Sequence, residues 1–151
     1  MATVTTTPDP LPSELPCPCK RFEAVFEAKF TGSAYMGPVK QYVDEAAKDS
    51  ADAQFDNLKT DVETARGNWR AAATCKQGCT KKPWVIQIGA TEPSYTYTHW
   101  GEKYHHGELE YIHGDCTLTV SCSIIVGCRT AGVQAQYQAG AKAAARPGDG
   151  K

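Results

Sequence analysis

The sequence predicts an α+β fold: an antiparallel β-meander of about four to five strands with one long or broken helix, at about residues 39–76, packed on one face. Three observations support this prediction. Several segments alternate apolar and polar residues, as strands with one buried face do. One long segment repeats apolar residues at steps of three and four, as amphipathic helices do. The alternating segments agree on one apolar face, and a helix pressed against that face completes a single core in a chain of 151 residues.

The first strand and the helix follow each other directly in the sequence. In "RFEAVFEAKFTG" the even positions from 22 to 30 hold phenylalanine or alanine, and charged residues stand between most of them, so we expect a strand. Gly37 and Pro38 then interrupt the chain. The helical spacing runs from Val39 to about Lys76, and Gly78 marks its end. "DSAD" at 49–52 suits the cap of a second helix, so the helical segment has a break there in the alternative interpretation.

The remaining strands are predicted from residue 84 onward. "WVIQIG" at 84–89 reads as a short strand. Gly114 and Asp115 separate two alternating segments, which predicts a two-residue hairpin turn. That register places His113 opposite Cys116, and a second turn at "GEK" places His99 opposite His105.

The two ends of the chain differ in composition from its middle. Residues 1–19 are rich in threonine and proline and predict an extended arm, residues 20–137 a single α+β domain, and residues 138–151 a flexible tail. The first residues carry neither a basic start nor an apolar segment of signal-peptide type. We expect the arm to reach a neighbouring copy of the chain, so that the protein forms a homo-oligomer.

Seven cysteines are many for a chain of this length, and they favour an oxidising compartment or a metal site. Cys116 and Cys122 lie about 20 Å apart along one predicted strand, so they cannot bond to each other. The leading interpretation is that two or three disulfides fasten the doublets at the element ends to the sheet. The odd number leaves at least one thiol without a partner in the chain. The candidates for disulfide bonding are Cys17, Cys19, Cys75, Cys79, Cys116, Cys122 and Cys128.

Two arrangements suggest a metal ion. His99 and His105 are cross-strand neighbours in the predicted register, and imidazoles so placed can share a zinc ion if a third ligand is near. The cysteine doublets at 17/19 and 75/79 are a second potential zinc site, although their C-x-C and C-x₃-C spacings are poorer than C-x₂-C. The plain alternative is that the histidines are half-buried rings of the sheet surface and that no cofactor is bound.

A cysteine-dependent enzyme is the third interpretation. His113 opposite Cys116 supplies the minimum for a thiolate nucleophile and its base. The sequence offers no nucleophile-elbow, phosphate-loop, zinc-protease or dinucleotide motif beside it. The sequence therefore leans against an enzyme, and we assign no catalytic residue.

The leading hypothesis is a disulfide-stabilised, non-enzymatic binding or structural domain that is secreted or extracytoplasmic and assembles with a protein partner or with itself. A cytoplasmic location is the alternative. The net charge of −1 and the absence of a basic stripe disfavour nucleic acid as a partner. No apolar segment approaches the roughly 20 residues that a membrane-spanning helix requires.

Overall fold

A computed structural model of the chain, which describes residues 2–131, shows an antiparallel sheet with two helices on one of its faces. The predicted α+β class is therefore confirmed. The elements in chain order are β1 (Thr5–Thr7), β2 (Glu14–Leu15), β3 (Cys19–Met36), α1 (Lys40–Asp52), α2 (Phe55–Ala72), β4 (Thr74–Cys75), β5 (Trp84–Ile88), β6 (Glu92–His105) and β7 (Glu108–Cys128).

Two long strands form the centre of the sheet. β3 and β7 pair antiparallel along nearly their whole length, with Phe22 opposite Val126 at one end and Met36 opposite Ile112 at the other. β1 extends the sheet beyond β3, while β5 and β6 lie one after the other along the opposite side of β7. β2 and β4 form a separate two-stranded parallel sheet.

The predicted turn at Gly114 and Asp115 is wrong. β7 runs straight through both residues as one strand of 21 residues. The hairpin lies instead between β6 and β7, at His106 and Gly107, whose φ angles of 52° and 79° are the positive values that a type I′ turn requires. Position 114 holds a glycine for a reason unrelated to a turn. A β-carbon there would collide with the side chain of Val43 in α1.

The helical segment consists of two helices rather than one. α1 ends at Asp52 and α2 begins at Phe55, close to the break that the sequence allowed. α2 ends at Ala72, four residues before the predicted end, because Thr74 and Cys75 pair with β2 as a strand. Leu58 and Val62 are buried on the side of α2 that faces the sheet, which is the arrangement that the helical spacing of apolar residues predicts.

The first helix lies unusually close to the sheet. At Gly32 of β3, a β-carbon would stand 2.5 Å from the amide nitrogen of Ala51 and 2.6 Å from the carbonyl oxygen of Ala47. The helix backbone therefore rests directly on the strand backbone. The buried alanines of α1 and the glycines beneath them are the residue types that permit this contact.

The N-terminal segment, which the sequence predicts to be an extended arm, lies against its own chain. The backbone amide of Ala2 donates to Asp61, and the indole of Trp69 donates to the carbonyl of Pro12 at 2.8 Å. Leu15 is fully buried, and Cys17 is joined to Cys79 by a disulfide. The end of the expected domain at residue 137 and the expected tail at 138–151 lie outside the described residues.

We expect a methyl group at Gly32 to destabilise the protein. Gly32→Ala forces α1 away from β3 and should lower the free energy of unfolding by about 1–3 kcal/mol, the usual cost of overpacking. Gly67→Ala is the matched control, since no atom lies within 4 Å of its added β-carbon in the exposed part of α2. It should stabilise the protein by about 0.5–1 kcal/mol through helix propensity. Chemical denaturation measures both, and a Gly32→Ala protein as stable as wild type would contradict the close contact.

Candidate functional site

Two disulfides close one end of the molecule. Cys17 bonds to Cys79 and Cys75 bonds to Cys128, with Cα–Cα distances of 5.7 and 5.9 Å. The Cys75–Cys128 bridge ties β4 to the last residue of β7. The Cys17–Cys79 bridge ties the N-terminal segment to the loop that follows β4. The prediction of a disulfide-stabilised domain is confirmed in this coarse form, although only Cys75 of the two doublets is bonded to the main sheet, Cys17 and Cys79 bond to each other, and Cys19 is free.

Three cysteines are free, and their surroundings differ. Cys19 is half-buried and lies opposite the bonded Cys128 in the β3–β7 ladder. Cys116 and Cys122 are buried under the helices, and this burial raises the pKa of both thiols above the ordinary value. The thiol of Cys122 donates to the carbonyl of Val62 at 3.6 Å. Burial makes these two thiols core residues of low reactivity.

The structure does not bring the predicted zinc ligands together. Three of the cysteines at 17, 19, 75 and 79 are used in disulfides. His99 lies opposite Gly114 and His105 opposite Glu108, so these histidines are not cross-strand neighbours. Within residues 2–131 no group of three or more His, Cys, Asp or Glu side chains is placed to hold a metal ion. Zinc binding through His99 and His105 therefore stays a prediction. The cross-strand pairing of the two histidines, on which that prediction was based, is not present.

The predicted Cys116–His113 pair is also wrong in its geometry. The two residues lie on the same strand at positions of opposite parity, so their side chains point to opposite faces of the sheet. Cys116 faces the helices and is fully buried, whereas His113 is on the open face. The error follows directly from the turn assigned at Gly114, because a hairpin there would have placed both residues on one face.

His113 belongs instead to a row of aromatic rings across three strands. Tyr35 of β3 and Trp100 of β6 stack on the two sides of the His113 ring, with centroid distances of 4.0 and 4.1 Å. The indole of Trp100 donates to Asp115 at 3.0 Å, and Ser33 donates to the same carboxylate at 2.7 Å. The rings stack on each other, so the row locks the register of β3, β7 and β6 at this height.

The helix-facing side of β6 is held to α1 by polar contacts. The hydroxyl of Tyr95 donates to Asp52 at 2.6 Å, and Lys48 approaches the same carboxylate at 3.0 Å. These two hydrogen bonds lower the pKa of Asp52, and the bond to Asp52 raises the pKa of Tyr95. His99 forms a contact of 2.6 Å with Asp44, which lies about two turns before Asp52 in α1. β6 is therefore fixed on its inner side and on the face that meets α1.

The outer edge of β6 has no partner among residues 2–131. β6 pairs only with β7, so the backbone groups that point away from β7 along Glu92–His105 are not paired with another strand. Every residue of β6 except Tyr95 is exposed. The corresponding edge of β3 is partly occupied, because β1 pairs with Val25–Glu27.

The middle of this edge also lacks the features that normally prevent edge pairing. Proteins protect exposed edges with lysine, proline, bulges or charges. Pro93 precedes the segment "SYTYTHW" at 94–100, and register irregularities and Lys103 follow it, but the segment itself contains none of them. The alternation of aromatic residues and threonine is visible in the sequence. That it lies at an edge is not, because this depends on which strands pair.

A cavity lies elsewhere, beside β3 and α2. It has a volume of about 580 Å³. The lining residues are Ala2, Lys29, Phe30, Gln54, Asn57, Leu58, Thr60 and Asp61. None of the sequence-predicted site residues lines it. We therefore take the outer edge of β6 as the candidate functional site.

Thiol labelling checks the assignment of the cysteines. Under native conditions without reductant, iodoacetamide should modify Cys19 alone, whereas the protein unfolded in denaturant should take up three groups, as the three free thiols require. The adducts are counted by intact mass, and Cys19→Ser serves as the control that removes the native adduct. Rapid native labelling of Cys116 or Cys122 would contradict their burial, and more than three groups after unfolding would contradict the two disulfides.

Within the described residues, no helix is long and apolar enough to cross a membrane. Comparison with known proteins found that no protein-family model, no curated protein and no solved structure matches this chain.

Proposed function

We propose that the protein is an extracytoplasmic, disulfide-stabilised, non-enzymatic structural domain that associates with copies of itself through the outer edge of β6. The observation that carries the proposal is this edge: a strand of 14 residues whose outer side is unpaired among residues 2–131, and whose segment 94–100 contains no lysine, proline or bulge. Such an edge is a ready template for a further strand.

The chemistry of the edge supports pairing between strands rather than catalysis. Backbone amides and carbonyls along an edge form a ladder with an added strand, and alternate side chains then pack on each face. The threonine and aromatic residues of 94–100 are those with high β-propensity. The cysteine and histidine once considered as a catalytic pair lie on opposite faces of β7.

The proposal moves the expected self-contact from the N-terminal segment to β6. Residues 2–19 make their described contacts with α2, β3, β4 and the loop at Cys79 of the same chain. Their removal would expose core residues as well as any interface. That the segment also reaches a neighbouring chain stays a prediction.

The disulfides support the extracytoplasmic setting. Two bridges with sequence separations of 62 and 53 residues are typical of proteins that fold in an oxidising compartment. Both tie loops and strand ends rather than a reactive cleft, which fits a structural role. They lie at the end of the sheet opposite the β6–β7 hairpin, so they leave the proposed contact free.

Added charge on the edge should weaken self-association. Wild-type protein is expected to sediment above the monomer mass in a concentration-dependent way. Replacing two exposed edge residues, in a Thr96→Lys/Thr98→Lys variant, places like charges against each other wherever two β6 edges meet, and should raise the dissociation constant at least about tenfold. Sedimentation velocity over a concentration series measures the shift.

The matched control carries the same charge on the same face of a central strand. Thr117→Lys/Ser121→Lys lies on β7, which is paired on both sides at these positions, so its dissociation constant should stay within about threefold of wild type. Thermal unfolding confirms that both variants fold. A wild-type protein that is monomeric at every concentration refutes the proposal, as does an equal loss of association in both variants.

A further inference from the structure

We infer that two copies of the chain pair their β6 strands antiparallel about a two-fold axis at Tyr97, which joins their sheets into one continuous sheet. The inference rests on the proposed function and adds its symmetry, its register and the residues that set them. A two-fold contact is the commonest arrangement of identical chains, and it places the same surface on both sides.

The first argument is the near-palindrome of the edge segment. In antiparallel pairing about Tyr97, residues at equal distances on the two sides of it become neighbours. Thr96 then lies opposite Thr98 of the second copy, and Tyr95 lies opposite His99 of the second copy. Paired threonines and paired rings on one face are favourable cross-strand neighbours. Ser94 meets Trp100 of the second copy, so the largest side chain lies opposite a small one.

The second argument is the charge at the two ends of the segment. Glu92 lies opposite Ser121 of β7, five residues along β7 from the Tyr97 partner Cys116. Lys103 lies opposite Tyr111, which is five residues from Cys116 in the other direction along β7. The spacing is equal because the irregularity between Trp100 and Lys103 fits three residues of β6 against two of β7. A two-fold axis at Tyr97 therefore sets Glu92 of each copy opposite Lys103 of the other.

Both members of this pair lie on the same face of the sheet. Their partners Ser121 and Tyr111 have the same parity on β7, which is that of the open face. The symmetry produces two such ion pairs, one at each end of the contact. A register displaced by two residues still pairs a threonine with a threonine, at Thr96 or at Thr98, but it loses both ion pairs. The charges therefore select the axis at Tyr97.

The third argument is that β1 occupies part of the outer edge of β3, at Val25–Glu27, whereas the outer edge of β6 is unpaired along its whole length among residues 2–131. β5 and β6 together form the outermost position on their side of the sheet, and the contacts that hold β6 to α1 lie on its face. On the other side, β1 is already paired with β3, and Ala2 lies beside Lys29 and Phe30. If the β6 edge of one copy paired with the β3 edge of the next copy, it would meet β1. Two β6 edges that pair with each other meet no other strand of residues 2–131.

A charge exchange tests the inference. Glu92→Lys and Lys103→Glu each place like charges opposite each other twice in the symmetric pair, so each should raise the dissociation constant at least about tenfold. The double variant Glu92→Lys/Lys103→Glu restores opposite charges across the axis and should return to within about threefold of wild type. Within one chain the two residues are separated by ten positions along β7, about 33 Å, so rescue can arise only between copies.

The outcomes separate this inference from the proposed function. Loss in both single variants and rescue in the double variant supports the two-fold axis at Tyr97. Additive loss in the double variant, or no effect in any of the three while Thr96→Lys/Thr98→Lys still weakens association, overturns the axis and leaves the β6 edge as the contact. A wild-type protein that stays monomeric overturns both. All variants are compared by sedimentation velocity at the same salt concentration, after thermal unfolding shows that they are folded.

Discussion

The pairing of β3 with β7 is the constraint on which the rest of the molecule depends. The two strands run antiparallel from the disulfide end to the turn before α1, and every other strand of the main sheet attaches to one of them. Both helices pack on the face that this pair presents, where leucine, valine, isoleucine and cysteine of β7 alternate with threonine and serine of the open face. If the register slipped by one residue, the apolar set would turn to solvent. The stacked ring of His113 and the glycines beneath α1 both act against such a slip.

Much of this architecture could be predicted from the sequence because it follows from local periodicity. Alternation identified β3 and the buried parity of residues 116–126, and the helical spacing identified the segment that covers them. The hairpin was misplaced because Gly114 resembles a turn glycine, whereas its actual role depends on Val43, which lies far away in the sequence. The true turn uses His106 at a positive φ angle, a conformation that is uncommon for any residue other than glycine. Tertiary contact decided both positions, and local composition does not report it.

The candidate site was predicted less well, for the same reason. The sequence shows that residues 94–100 have a strong preference for the extended conformation, but the edge position of β6 follows from the topology. The turn predicted at "GEK" placed His99 beside His105, and the turn predicted at Gly114 placed His113 beside Cys116. Both turns are wrong, so the metal site and the nucleophile that they suggested are not assembled in the sheet. The sequence predicted that disulfides form, because the chain has many cysteines near element ends. It did not predict which cysteines pair, because Cys17 bonds to Cys79 and Cys75 to Cys128 only through the tertiary fold.

The two ends of the sheet are stabilised by different means, and this difference locates the free edge. Two disulfides hold the end at which β3 begins, where the N-terminal segment, β4 and the last residue of β7 meet. The other end has no disulfide among the described residues, and there β6 is held by hydrogen bonds to α1 and by the ring of Trp100 on His113. These contacts fix the face and the inner side of β6 and leave its outer side unpaired. A strand fixed in this way is already in the extended conformation that pairing requires. Pairing with an added strand would therefore cost little further conformational entropy in β6. The sequence of the edge and the contacts that hold β6 in place therefore both support the proposal that β6 pairs with a further strand.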